Sequence, residues 1–251
     1  MSDHVPFNLI SRINTYFTFS RLEIRNLIIS ILVVGFIVGF DDKKPSGSLG
    51  FWVFNLINSI LIVSLAFIVH EAGHRLSGLV AGYRAEYKVW WYGLLIGLIL
   101  TIISRGQLWV ILPGGYMCDM MQRARLGRFR YGINYFTLGL IGYMGGLFNI
   151  ILAMIFKFML YIPFFADNAL IEKAILVNVA YAIYSLLPLP GLDGINVLFA
   201  SRIAYVSLYS ALIVASVLLV FYSIFLAVVG SVIALIASWI IWYFVYEEKS
   251  W

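Results

Sequence analysis

The sequence predicts an all-α polytopic membrane protein with about six transmembrane helices and a short membrane-re-entrant β element. Hydrophobic residues make up 63% of the 251 residues and charged residues only 12%, far from the composition of a soluble domain. The apolar residues form long uncharged runs, and the net charge of +5 comes from basic residues scattered between them. We therefore expect a lipid bilayer and no nucleic acid as partner, with the basic residues setting orientation in the membrane.

The first elements follow from the length of each apolar run. Residues 1–25 are predicted to form an interfacial segment that contains an amphipathic helix on the membrane surface. A membrane span needs about 20 apolar residues. Runs of suitable length predict transmembrane helices at residues 22–40, 49–83, 135–165 and 169–187.

The C-terminal run predicts the last two spans. Residues 203–246 carry no charged side chain and would extend about 66 Å as one helix, more than twice the thickness of the hydrocarbon core. They are expected to fold back near Gly230 and Ser231. The expected units are therefore the interfacial segment, a catalytic membrane core at 26–201 and a helical hairpin at 202–251.

Residues 89–103 are apolar but too few for a span, since they would extend only about 22 Å as a helix. If they crossed the membrane, the arginine cluster at 123–130 would lie on the opposite side from Arg84 and Lys88. That arrangement would violate the positive-inside tendency. We therefore predict a re-entrant element over about 89–116.

This re-entrant element is expected to be strand-like. Its Leu- and Ile-rich stretch is followed by Arg105-Gly106 as a turn, and its return ends at Pro113-Gly114-Gly115. Such backbone is tolerated at membrane depth only where protein covers it or where it lines a wet cavity. With six crossings, both termini and the active-site opening are expected on the cytosolic side of the cell membrane.

A metal-binding pattern lies at the end of the second predicted span, where the chain reads His70-Glu71-Ala72-Gly73-His74. On a helix this spacing places both imidazoles on one face, one turn apart, where they can bind the same zinc ion. The glutamate beside them can accept a proton from water. Two imidazoles and a carboxylate are costly to bury in hydrocarbon without a function, so a metal site is predicted.

A third ligand is expected, because catalytic zinc usually has three protein ligands. Of the 12 acidic residues, only Glu71 and Asp193 are predicted near the depth of the histidines. Asp193 follows Pro188-Leu189-Pro190-Gly191-Leu192, which would interrupt the fourth span and let the carboxylate bend toward another helix. The alternative is that Asp193 only caps a helix after a Pro-Gly turn.

The pairing of the histidine motif with Pro188-x-Pro190-x-Leu192-Asp193-Gly194 resembles the site-2 protease family of intramembrane zinc metalloproteases. Two further stretches extend the resemblance over roughly residues 50–200, namely Leu112-Pro113-Gly114-Gly115-Tyr116 and Gly145-Gly146-Leu147-Phe148-Asn149. The resemblance implies one zinc ion per chain, with Glu71 as general base and Asn149 assisting at the peptide carbonyl or the substrate strand. The zinc ligands that it implies are His70, His74 and Asp193.

Three positions depart from the family pattern. Ser185 stands where the family commonly has Asn, Gly146 replaces the usual Pro, and Ile195 replaces a second Gly. None of these is an implied ligand or the implied base. The departures therefore concern substrate positioning more than metal chemistry.

The resemblance implies a zinc metalloendopeptidase that cleaves single-span membrane proteins in or near their transmembrane segment, as in regulated intramembrane proteolysis. A helical substrate must unwind before cleavage, and the strand-like residues 94–112 are expected to accept it as an added strand. Two alternatives stay open at this point: a non-proteolytic metal-binding membrane scaffold, and a metal transporter, which would predict internal symmetry. Asn149 could instead hydrogen-bond a neighbouring helix, and Cys118 is expected to be a small apolar filler.

Overall fold

A computed structural model describes residues 9–40, 49–120 and 134–247. Within these ranges the α-helices are α1 (Leu9–Tyr16), α2 (Arg21–Gly39), α3 (Leu49–Ala81), α4 (Trp91–Ile103), α5 (Tyr135–Met159), α6 (Ala169–Ser185), α7 (Asp193–Ala200), α8 (Arg202–Phe221) and α9 (Ile224–Trp242). The strands are β1 (Tyr83–Val89) and β2 (Gly114–Met120), with a 3₁₀ turn at Pro163–Phe165 and a π-helical turn at Tyr243–Glu247. The arginine cluster predicted to set the topology, at 123–130, lies outside the described residues.

Five described helices are long and apolar enough to cross a membrane, namely α2, α3, α5, α8 and α9. The chain is therefore a helical protein suited to a multi-pass arrangement, as its composition predicts. Helix α6 occupies the predicted fourth span and has 17 residues, at the lower end of the lengths that cross a bilayer. The sixth crossing stays a prediction, as does the division into units at 1–25, 26–201 and 202–251.

Helix α3 is the central element of the fold. It contacts α1, α2, β1, α5 and α6, and its 33 residues would extend about 50 Å. That length exceeds the hydrocarbon thickness. Arg75 contacts Glu23 in the first turn of α2, so the residues of α3 after Arg75 extend beyond the start of α2. Helix α2 begins with a capping box, in which Ser20 and Glu23 satisfy each other's backbone N–H groups.

The strand-like content predicted for residues 94–112 is wrong, because 91–103 form helix α4 and residues 104–113 form no strand. The buried positions of α4 include Gly93, Gly97 and Thr101, which recur every four residues as one helical face does. Both glycines let the returning chain approach closely. A Cβ atom at Gly97 would lie 2.4 Å from the Val110 carbonyl oxygen.

The β structure flanks this helix instead. Strands β1 and β2 form an antiparallel two-stranded sheet in which Val89 pairs with Gly114 and Tyr83 pairs with Met120. Residues 90–113 therefore leave the sheet and return to the same end of it. The entry of this excursion into the membrane, as a re-entrant element, stays a prediction.

The predicted turn of the C-terminal hairpin is also misplaced. The break falls between α8 and α9, where Ser223 caps α9 by accepting a hydrogen bond from the Leu226 N–H. Gly230, expected at the turn, lies within α9, and a Cβ atom there would be 2.3 Å from Leu218 Cδ1. This glycine therefore serves the close approach of two helices rather than a change of direction.

Candidate metal centre

The two histidines of the motif lie one turn apart on α3 and face the protein interior. Their ring centroids are 4.7 Å apart with an interplanar angle of 83°, and both side chains are buried, as is Glu71 between them. Ligand atoms of His70, Glu71 and His74 all lie within 4.8 Å of one another. The helical spacing thus gathers these three groups as predicted.

Helix α7 brings a second carboxylate to the histidines. Asp193 Oδ2 lies 3.0 Å from His70 Nε2 and 3.3 Å from His74 Nε2, and the Asp193 side chain is fully buried. The capping alternative for Asp193 finds no support in this geometry. Leu192 is the N-cap of α7 with no side-chain cap hydrogen bond, and the Asp193 carboxylate is directed at the imidazoles.

The interrupted end of α6 makes this approach possible. Helix α6 ends at Ser185, and α7 begins only at Asp193. Pro188 and Pro190 lack the backbone N–H groups that would continue the helix, and Gly191 adopts a positive φ of 90°, which glycine allows at little cost. The chain thereby turns back toward α3 and places the Asp193 carboxylate, at the start of α7, against the histidines.

The donor atoms fit a zinc ion by their chemistry and by their unused hydrogen-bonding capacity. Asp193 Oδ1 is buried and has no hydrogen-bond partner among the described residues, and the buried His74 Nε2 has only the 3.3 Å approach to Asp193 Oδ2. Helix α5 leaves room beside them, because a Cβ atom at Gly145 would lie 2.5 Å from His74 Nε2 and 2.7 Å from His70 Nε2. Two imidazole nitrogens and one carboxylate oxygen form a common catalytic zinc set.

Groups around the imidazoles fix their orientation. His74 Nδ1 lies 2.8 Å from the Ile141 carbonyl oxygen, so Nδ1–H donates there and Nε2 keeps its lone pair for a metal. Tyr181 stacks on His70 with ring centroids 4.3 Å apart, and Tyr116 stacks on His74 at 4.7 Å.

These supporting residues were not predicted from the sequence. Tyr116 belongs to one of the stretches that carry the family resemblance, but no sequence pattern indicates that it stacks on His74. Tyr181 lies within an ordinary apolar helix, and no signal in the sequence distinguishes it. The Ile141 carbonyl is a backbone group and has no signal at all.

Asn149 is buried on α5, one helical turn after Gly145. Its Nδ2 and Oδ1 atoms have no hydrogen-bond partner among the described residues. The alternative that this amide bonds a neighbouring helix therefore finds no partner in the described part of the chain. An unpaired buried amide is costly, which makes Asn149 a candidate functional residue.

Cys118 lies on β2 and is half-buried. Burial, with a smaller effect of the nearby Asp119 charge, raises the pKa of its thiol to about 12, because both disfavour the thiolate. The thiol is therefore neutral near pH 7. This agrees with the expected role of an apolar filler rather than a ligand or nucleophile.

A cavity of about 290 Å³ opens beside the candidate metal ligands, between β2 and the chain that leads into α7. Its lining residues include Lys88, Trp90, Tyr116, Leu192 and Asn196. The wall of this cavity reaches the candidate ligand, since a Cβ atom at Gly115 would lie 2.9 Å from Asp193 Oδ1. The buried carboxylate therefore lies directly behind the Gly115 backbone that lines the cavity.

A protein of Methanocaldococcus jannaschii that is provisionally named a zinc metalloprotease is 29% identical to this chain over 187 aligned residues. The alignment covers 72% of this chain and 86% of that protein. No protein-family model matches the chain, and no solved structure gives a significant match. Together with the clustered histidine motif, the similarity supports a zinc metalloprotease family for this chain.

Proposed function

We propose that the chain is an intramembrane zinc endopeptidase of the site-2 protease type. Its substrates would be single-span membrane proteins, cut in or near the transmembrane segment. The observation that carries the proposal is the position of Asp193 Oδ2 within 3.0 and 3.3 Å of the two histidine Nε2 atoms. Three donors from two separate helices meet at one point inside a protein whose helices suit a membrane.

The candidate ligands are His70, His74 and Asp193, holding one zinc ion per chain. When bound, zinc supplies a Lewis acid that activates water and polarises a peptide carbonyl. Glu71 would accept one proton from the attacking water and pass it to the departing amine nitrogen. The water oxygen bonds to the carbonyl carbon, and the C–N bond breaks as the amine nitrogen takes the proton from Glu71. Asn149 would donate from its amide to the reacting carbonyl.

The substrate is proposed to lie along β2 rather than along residues 94–112, of which the first half is helical. The outer edge of β1 is already engaged, because the Tyr87 N–H donates to Glu23 Oε1 at 2.9 Å. No strand among the described residues pairs with the outer edge of β2. An unwound segment could add there, with its backbone groups replacing the hydrogen bonds lost on unwinding.

The active-site opening is proposed to face the cytosol across the cell membrane. The basic N-terminal segment lies at the metal-site end of α3, where Arg12 Nη1 donates to the Leu79 carbonyl oxygen at 2.9 Å. Arg21 and Arg25 begin α2 at the same end. Basic residues concentrate on the cytosolic side of membrane proteins, which supports this orientation.

Zinc content and peptide cleavage test the proposal together. The full chain is purified in detergent, its zinc per chain is measured, and it is incubated with a panel of transmembrane peptides with and without chelator. We expect about one zinc per chain and cleavage that chelator abolishes. Absence of zinc in the wild-type protein, or cleavage that persists in chelator, would contradict it.

Glu71→Gln separates the enzyme from the scaffold alternative. The variant should retain zinc and lose cleavage, because Gln cannot accept the proton. His70→Ala is the matched variant that should lose both zinc and cleavage. Full cleavage by Glu71→Gln would contradict the assigned base, and zinc flux into liposomes would instead support a transporter.

A further inference from the structure

The interruption of α6 leaves one backbone carbonyl without its helical partner. In a continuing helix the Leu186 carbonyl would accept from the N–H of residue 190, and Pro190 has no N–H. Tyr205, which is buried on α8, supplies the missing donor. Its hydroxyl donates to the Leu186 carbonyl oxygen at 3.0 Å.

The same carbonyl supports the backbone next to the candidate metal ligand. A Cβ atom at Gly194 would lie 2.1 Å from the Leu186 oxygen and 2.3 Å from the Leu186 carbonyl carbon. The Asp193–Gly194 backbone therefore rests directly on the Leu186 peptide group. A rotation of that peptide would displace Asp193, whose carboxylate has little room to move because it is fully buried.

We propose that Tyr205 is a positioning residue for the metal centre. Its hydroxyl fixes the Leu186 carbonyl, the carbonyl fixes the start of α7, and the start of α7 fixes the Asp193 carboxylate against the two imidazoles. Tyr205 acts through Leu186 and does not reach the ligands itself. This inference rests on the metal centre proposed above, and it makes the C-terminal hairpin a contributor to that centre.

Tyr209 provides a matched control one helical turn later on α8. Its hydroxyl donates to the Ile183 carbonyl oxygen at 3.2 Å, and its ring stacks on Tyr205 with centroids 5.5 Å apart. Ile183 lies three residues before Leu186, within α6, and its carbonyl is not the one that supports Gly194. Removing either hydroxyl thus deletes one α8-to-α6 hydrogen bond, but only one of these bonds leads to Asp193.

Metal affinity and the metal's spectrum test the inference. Wild type, Tyr205→Phe and Tyr209→Phe are purified as full chains in detergent, and equal elution volume and helical circular dichroism confirm folding. Zinc affinity is measured by chelator competition, and the visible absorption of the cobalt(II)-substituted proteins is recorded. Tyr205→Phe should weaken zinc binding about tenfold, the lower end of effects from groups that orient metal ligands, and should shift the cobalt bands. Tyr209→Phe should match wild type in both.

Hydrogen exchange of the metal-free proteins gives a readout that needs no bound ion. The amides of residues 187, 189 and 191–194 should exchange faster in Tyr205→Phe than in Tyr209→Phe, because the Leu186 peptide has lost its hydrogen bond. Wild-type affinity, cobalt spectrum and exchange in Tyr205→Phe would overturn the inference and leave the proposed function standing, as would equal changes in both variants. A wild-type protein that binds neither zinc nor cobalt would overturn both.

Discussion

Glu23 and Arg75 form a buried ion pair just beyond the candidate metal-binding turn of α3, with each side chain only 2% exposed. Arg75 directly follows His74, and its guanidinium lies 3.8 Å from the ring centroid of Phe19. Glu23 Oε1 also accepts the Tyr87 N–H. One carboxylate therefore joins the start of α2, the end of α3 and strand β1.

Removing the charge of Glu23 should strongly destabilise the protein. In Glu23→Gln the Arg75 guanidinium would stay buried without a counter-charge, a change that typically costs about 3–5 kcal/mol. We expect a loss of that size in the free energy of unfolding, measured by denaturant titration in mixed micelles.

A half-buried ion pair in the same region serves as control for that measurement. Arg84 Nη2 lies 2.9 Å from Glu86 Oε1, with side chains 35% and 33% exposed. Glu86→Gln should cost no more than about 1 kcal/mol, because solvent screens such pairs. Similar losses of unfolding free energy in both variants would show that burial does not make the Glu23–Arg75 pair the more stabilising of the two.

Gly145→Ala should abolish metal binding while the fold persists. The added methyl group would lie 2.5 Å from His74 Nε2, on the side of the imidazoles that a metal ion needs. Gly146→Ala is the neighbouring control, since its nearest atom, Leu186 Cδ1, lies 3.3 Å away and belongs to a flexible side chain. Zinc content by elemental analysis should fall for Gly145→Ala alone. Retention of zinc at the wild-type level by that variant would contradict the position assigned to the ion.

Asn149→Ala should lower the rate of cleavage and leave zinc binding unchanged. If the amide donates to the reacting carbonyl, its loss should reduce kcat by about 10²–10³-fold. Asn178 is an equally buried control whose Nδ2 donates within its own helix, to the Ala174 carbonyl oxygen at 2.8 Å. An equal loss of kcat in Asn178→Ala would show that Asn149 matters for packing rather than for chemistry.

The sequence indicates which side chains the fold brings together where the chemistry demands particular residue types at fixed spacing. Helical geometry alone places His70 beside His74, and the prolines before Asp193 indicated that its carboxylate could approach them, as the distances show. The strand prediction failed at 91–103, where the four-residue recurrence of Gly93 and Gly97 is typical of one helical face. The turn prediction failed at Gly230, because glycine serves helix contacts as well as turns.

The remaining parts of the site depend on backbone groups that the chain brings together only on folding. The Ile141 carbonyl that orients His74 and the Leu186 carbonyl that supports Gly194 have no residue-specific signal. Aromatic partners such as Tyr181 belong to apolar runs in which any large residue would fit the same pattern. Their assignment needs the packing of α3 against α5 and α6.

Cys118, the only cysteine in the chain, should react slowly with thiol reagents. Burial raises the pKa of its thiol from 9.0 to about 12, and only the thiolate is nucleophilic. A rise of about three pKa units lowers the thiolate fraction near pH 7 about a thousandfold. Alkylation by iodoacetamide should therefore be slow at pH 7, rise about tenfold per pH unit up to about pH 12, and become fast at pH 8 once the protein is unfolded in SDS. Rapid labelling of the folded protein at pH 7, or zinc loss in Cys118→Ser, would show instead that this thiol is ionised and takes part in the site.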